Sequence, residues 1–143
     1  MITDKLLRVS EDQALTTTAV STNTIDLSIA RDMGEGHPLF MNFAVTAALT
    51  GGTSVKFEVI QSASADLSSP TVIGSTDAVV TASLVAGYNT AVRVNPQIGS
   101  KGQRYIGARY TISGTYSAGT VTADVVATIQ DGKKFYASGF TVV

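Results

Sequence analysis

The stretch Ser54-Val-Lys-Phe-Glu-Val-Ile-Gln61 sends Val55, Phe57 and Val59 to one side and Lys56 and Glu58 to the other. Side chains alternate across an extended backbone with a period of two, so this is a strand with one face in a core and the other toward water. Just before it, Thr50-Gly51-Gly52-Thr53 holds a glycine pair suited to a hairpin turn. Upstream of the turn, Leu39–Leu49 repeats the period through Phe43, Val45, Ala47 and Leu49. The pattern predicts two antiparallel strands joined at 50–53.

The same signal recurs outward. Arg104–Ser113 alternates Ile106, Ala108, Tyr110 and Ile112 against Tyr105, Arg109 and Thr111, and Thr120–Ile129 alternates through Val121, Ala123, Val125, Ala127 and Ile129. Shorter strand candidates are Ala14–Val20, Thr24–Ile29, Thr71–Ser75, Ala78–Val85 and Thr90–Asn95, with one more inside the tail Lys133–Val143. Between them lie a loop at Arg31–Pro38, a serine-rich loop at Ser62–Pro70, and turns at Asn95-Pro96, Gly99–Gly102 and Gly114–Gly119. Valine, isoleucine and threonine supply 44 of the 143 residues, and such β-branched side chains favour strands over helices. The longest run of apolar residues is three, which excludes both the long runs of a parallel α/β sheet and a membrane-spanning helix. The expected fold is all-β: an antiparallel β-sandwich, specifically a jelly roll.

Residues 1–13 are the most charged part, with Asp4, Lys5, Arg8, Glu11 and Asp12 around Leu6 and Leu7. Ser10-Glu-Asp-Gln13 has the form of a capping box and predicts one helical turn in an otherwise extended arm. The expected organisation is an N-terminal arm, 1–13, and a single sandwich domain, 14–143. Of the arm, Asp4, Leu6, Leu7 and Arg8 are the candidates for contact with a neighbouring subunit or a larger assembly: two leucines as anchors and two charges at the rim. The arm's charges also make a signal peptide unexpected.

Function classes fall away quickly. Ten basic residues balance eleven acidic ones, so no charge footprint for nucleic acid exists. No cysteine is present, which removes disulfides, thiol catalysis and zinc–thiolate sites. His37 stands in a glycine-rich turn with only Asp32 and Glu35 as acidic neighbours, and reads as a turn histidine rather than a base or ligand. Gly99-Ser-Lys-Gly102 has the form of a backbone-clamping GXXG loop, but such a clamp needs flanking helices where this chain has strands. Asp124 and Asp131 are close enough in sequence to suggest the paired carboxylates of a glycosidase. Asp124, however, alternates onto the face away from the apolar residues of its strand, which predicts a solvated side chain. Five tyrosines suggest a sugar-stacking platform, although Tyr110 shares the period of a core face. No enzyme activity, cofactor, metal, nucleic acid or membrane partner is expected.

One series of residues points further. Ser10-x-x-Gln13-Ala14, Ser21-Thr-Asn23, Ile25-Asp26-Leu27 and Arg31-Asp32-x-Gly34-x-Gly36-x-Pro38-Leu39 are followed by Val55-Lys-Phe57, Leu67-Ser-Ser-Pro70, Arg104-Tyr-Ile106 and Arg109-Tyr-Thr111. In order and spacing this resembles the capsid cement (decoration) proteins of tailed bacteriophages, the small jelly-roll type of short-tailed phages. The resemblance implies a virion protein on the outer surface of the capsid, made in the bacterial host cytoplasm. It also implies a homo-oligomer, dimer or trimer, that binds the major capsid protein and bridges its neighbouring subunits. The alternative is a jelly-roll module for carbohydrate binding or adhesion.

Overall fold

A computed structural model describes residues 3–30, 38–95 and 103–128. These form ten strands: β1 (Arg8–Ala14), β2 (Ala19–Val20), β3 (Ile25–Asp26), β4 (Leu39–Thr50), β5 (Ser54–Ser62), β6 (Thr71–Ser75), β7 (Val79–Val80), β8 (Asn89–Val94), β9 (Tyr105–Ser113) and β10 (Ala118–Val126). All pairings are antiparallel. One sheet runs β1-β10-β4-β8; the other runs β2-β9-β5-β6, with β3 also on β9 and β7 also on β5. The pairing is nested: first strand with last, β2 and β3 with β9, β4 with β8, and β5 with β6 innermost.

The alternation in 54–61 holds on its apolar side, where Val55, Phe57 and Val59 are buried between the sheets. Phe43 of β4 meets Phe57 of β5 with ring centroids 5.1 Å apart, and Tyr110 of β9 stands edge-on to both, at 6.0 and 6.1 Å. These tilted and edge-to-face contacts are the preferred aromatic geometries and tie the layers at mid-height. The polar side of β5 differs from the expectation. Glu58, Ile60, Gln61 and Ser62 are also buried, so the second half of the strand is covered on both faces. Part of that cover is the serine-rich loop, whose Leu67 is buried and packs over Gly107 of β9.

Both lateral seams are closed within the chain. Along β1, the Asn23 amide donates to the Val9 carbonyl at 2.8 Å and the Gln13 side-chain amide donates to the Val20 carbonyl at 2.8 Å. On the opposite side, the Asn95 side chain donates to the Ile73 carbonyl at 2.6 Å. Gly74 lies so near β8 that a Cβ there would sit 2.6 Å from the Arg93 carbonyl oxygen. Covered edges of this kind do not template strand addition.

The N-terminal expectations need correction. The helical turn is not at the S-x-x-Q sequence but at Lys5–Leu7, where the Asp4 carboxylate accepts from the Leu6 amide at 2.9 Å. Ser10 and Gln13 lie in β1 instead, where the register against β10 shifts and Asp12 adopts φ 43°. The motif's two side chains still meet, the Ser10 hydroxyl donating to Gln13 Oε1 at 2.7 Å, but tertiary partners rather than a helix use them. The expected boundary between 13 and 14 falls inside β1, so residues 8–13 are part of the sheet and only the turn and its cap precede it. Three candidate strands shrink: within 14–20 only Ala19–Val20 pair as β2, within 24–29 only Ile25–Asp26, and within 78–85 only Val79–Val80, before a short turn at Thr81–Ser83.

Candidate functional site

The two ends of the sandwich differ in how their apolar residues are finished. At the end carrying the β4–β5 turn, Tyr116 is buried with its ring against Gly52, where a Cβ would lie 2.5 Å from the ring carbons. Its hydroxyl is 2.7 Å from that of Thr81, which donates to the Gly52 carbonyl at 2.8 Å. That end is plugged.

At the opposite end, the layers part around an apolar cavity of about 160 Å³. Leu39, Val94 and Val125 line it from the first sheet, Ile25 and Ile106 from the second, and Leu7 from the N-terminal turn. A neighbouring residue on that turn, Leu6, is 87% exposed. The turn is held in place at both sides: Asp4 caps its start, the Leu7 amide donates to the Asp4 carbonyl at 3.0 Å, and the Arg8 amide closes on the Lys5 carbonyl. Arg8 begins β1 and donates through Nε to Asp124 at 2.8 Å and through Nη1 to Glu11 at 3.0 Å. The stretches outside the described residues, 1–2, 31–37, 96–102 and 129–143, join the fold next to β1, β4, β8, β9 and β10 at this same end.

The sequence-derived candidates therefore divide. Asp4, Leu6, Leu7 and Arg8 come together at the open end, Asp4 as a cap, Leu7 as a cavity wall, Leu6 facing outward and Arg8 as an ion-pair partner. Asp124 is not solvated: it is 4% exposed, beneath the Arg8 guanidinium. Its alternation assigns the correct face, but the outer face of a sheet is dry where a neighbouring side chain lies over it. The hydrogen bond to Asp124, then its charge, raise the Arg8 guanidinium above its usual value. Beside Asp124 in the same cross-strand row stands Asn42, 1% exposed, whose Oδ1 has no hydrogen-bond partner. His37, Asp32, Glu35, Asp131, the 99–102 turn and the 133–143 tail lie outside the described residues.

The second sheet has its own buried acid, which sequence reasoning missed. Glu58 is 4% exposed on the outer face. It accepts from Arg109 Nε at 2.6 Å and from the Thr111 hydroxyl at 2.8 Å, with Lys56 Nζ 3.6 Å away. Burial opposes its charge, but the hydrogen bonds from Arg109 and Thr111 and the two nearby cations outweigh that, and the carboxyl sits below its ordinary value. The available signal was the pair Arg109 and Thr111, which share a face one residue apart in β9 and whose register cannot be read from the sequence alone. At the open end, the bidentate Arg104–Asp26 pair, 2.7 Å at both contacts, pushes the Asp26 carboxyl down to about 2.

The tyrosines do not form a stacking platform among the described residues. Tyr110 is buried, its hydroxyl donating to Ser10 Oγ at 2.7 Å, and burial raises it well above an ordinary phenol. Tyr116 is the plug, and Tyr105 lies under the Arg104 guanidinium, 5.0 Å from its ring centroid. Among the described residues no three His, Cys, Asp or Glu side chains gather as a metal site, and no helix is long and apolar enough to cross a membrane.

Among the described residues these features define an all-β sandwich with bridged seams, one end plugged by Tyr116 and the other holding an apolar cavity. Residues 9–125 match the Bbp16 family, and the chain belongs to that family, which is phage-related. No curated protein matches the chain.

Proposed function

We propose that the chain is a structural virion protein that binds the outer surface of a phage head, as a homo-oligomer, and cements neighbouring major capsid subunits against internal pressure. What carries the reading is membership of a phage-related family over residues 9–125, in a fold where most buried polar side chains, Ser10, Ser21, Glu58, Ser62 and Asp124 among them, are bonded within the chain. The nested strand order supports the jelly-roll form that such cement proteins take. A protein of this kind needs a stiff body and a surface for partners rather than a reaction centre. Many copies on a repeating shell multiply weak contacts into a firm hold once geometry lets them engage together.

The test is addition of the purified protein to expanded heads that lack any cement protein. Binding should saturate, and decorated heads should disrupt at a higher temperature than bare ones, because a ligand specific for the intact shell stabilises it by mass action. Equal disruption temperatures for decorated and bare heads refute the cementing role.

A further inference from the structure

The open end presents an apolar socket and, on the turn that forms one of its walls, an outward leucine. We infer that Leu6 of one copy seats in the cavity of a second copy, and that the contact is reciprocal about a two-fold axis. The contact rests on the self-association proposed above and requires nothing of its capsid part.

Among the described residues, 20–23 lie along β1 and β6 lies against β8, which disfavours strand-to-strand pairing along those two seams. The plugged end offers no hole. The open end offers a knob and a hole side by side, and a two-fold interface requires one patch to be complementary to itself. A hole of about 160 Å³ lined by leucine, isoleucine and valine is large enough for an aliphatic side chain and has no polar group to hold water. Leu6 does not need ordering on arrival, since the Asp4 carboxylate and the Leu7 and Arg8 amides already fix its turn. The flanking charges suit the same geometry. Asp4 and Lys5 are adjacent, exposed and of opposite sign, so a two-fold pairing of this end can set each against its complement.

The experiment is sedimentation velocity on the free protein over a wide concentration range, with three point variants and one C-terminal truncation. Wild type should form a dimer. Leu6→Ser alters an exposed side chain, so it should melt like wild type yet raise the dimer dissociation constant on the order of a hundredfold, because each dimer loses two seated leucines. Leu6→Met keeps a flexible apolar knob and should still pair. Val94→Phe fills the socket from its own side and should weaken pairing with Leu6 intact; near-ultraviolet circular dichroism checks that it is folded. Wild type that stays monomeric overturns the inference, as does a folded Leu6→Ser protein that pairs as tightly as wild type. If instead a chain ending at Thr128 loses pairing while Leu6→Ser keeps it, the occupant is the C-terminal segment and the inference fails. Head binding, measured separately, keeps the two readings apart: a monomeric Leu6→Ser protein that still decorates heads upholds this contact and leaves cementing to its own test.

Discussion

The plugged and the open end of the sandwich draw on similar apolar residues but reach different outcomes. At the plugged end one tyrosine suffices, because its ring fills the space between the layers and its hydroxyl reaches Thr81 at 2.7 Å. Gly52 is what admits the ring so close to the turn. At the open end the closing residues are short and branched, Val94, Val125, Ile25 and Ile106, and they stop before they meet. The open end still completes its ion pairs, Arg8 with Asp124 and Arg104 with Asp26, so the difference between the ends lies in apolar packing. Where a fold completes its own contacts, it is built for stability. Where it leaves apolar walls around a cavity, a partner has something to supply.

The largest expected effect tests that division directly. Tyr116→Ala removes the plug and leaves a cavity in its place, and should cost about 3–5 kcal/mol of unfolding free energy in a urea titration. Leu39→Ala, at the open end, should cost only about 1–2 kcal/mol, since its side chain is half-buried and already borders empty space. Equal losses would mean that the open end is as tightly packed as the plugged one, and the contrast would collapse.

A smaller effect separates a buried acid from an exposed one. Glu58→Gln should cost about 1–3 kcal/mol at neutral pH, because bonds from Arg109 and Thr111 to a charged acceptor become bonds to a neutral one. The pH dependence has a definite sign. The folded carboxyl lies below its ordinary value, so its contribution is complete above the unfolded value of about 4.3 and is lost as pH falls through the folded one. Melting curves of wild type and Glu58→Gln should therefore converge in acid and diverge toward neutrality. Asp26 is also held low by an arginine, but both partners are exposed, and Asp26→Asn should leave the neutral-pH midpoint where it was. A large shift for Asp26→Asn would show that the open end carries more of the fold's stability than its packing suggests.

How far the sequence revealed this depended on the range of each interaction. The long strands β4, β5, β9 and β10 were legible because alternation is a local property and each extends over several periods. The β2, β3 and β7 segments were overestimated, since two paired residues leave no period to detect. The S-x-x-Q sequence misled because the same serine and glutamine serve a helix cap or a cross-sandwich relay, and Tyr110, 100 residues away, decides between them. Asp124 and Glu58 read as wet for the same reason. Alternation assigns a face, but whether a guanidinium or a loop covers that face is set by contacts remote in sequence. Leu6 and Leu7 stood out as apolar residues among charges, yet nothing local indicated that one would wall a cavity and the other face away.

The smallest effect is the most direct probe of the socket. Val94→Ile adds one methylene at the cavity wall. In a Leu6→Ser background, where no leucine is available to fill the space, the added group should stabilise by about 0.8 kcal/mol, the usual gain for a newly buried methylene. In the wild-type background at concentrations that favour pairing, the partner's Leu6 already occupies that volume, so the gain should vanish or reverse. The two substitutions should then be non-additive although one lies on the exposed turn and the other in β8, which is the mark of residues sharing one space. If Val94→Ile instead destabilises both backgrounds by about 1–3 kcal/mol, the pattern is that of overpacking, and the space is filled even in the unpaired chain. The open end would then be closed by the protein itself, and Leu6 would need another role.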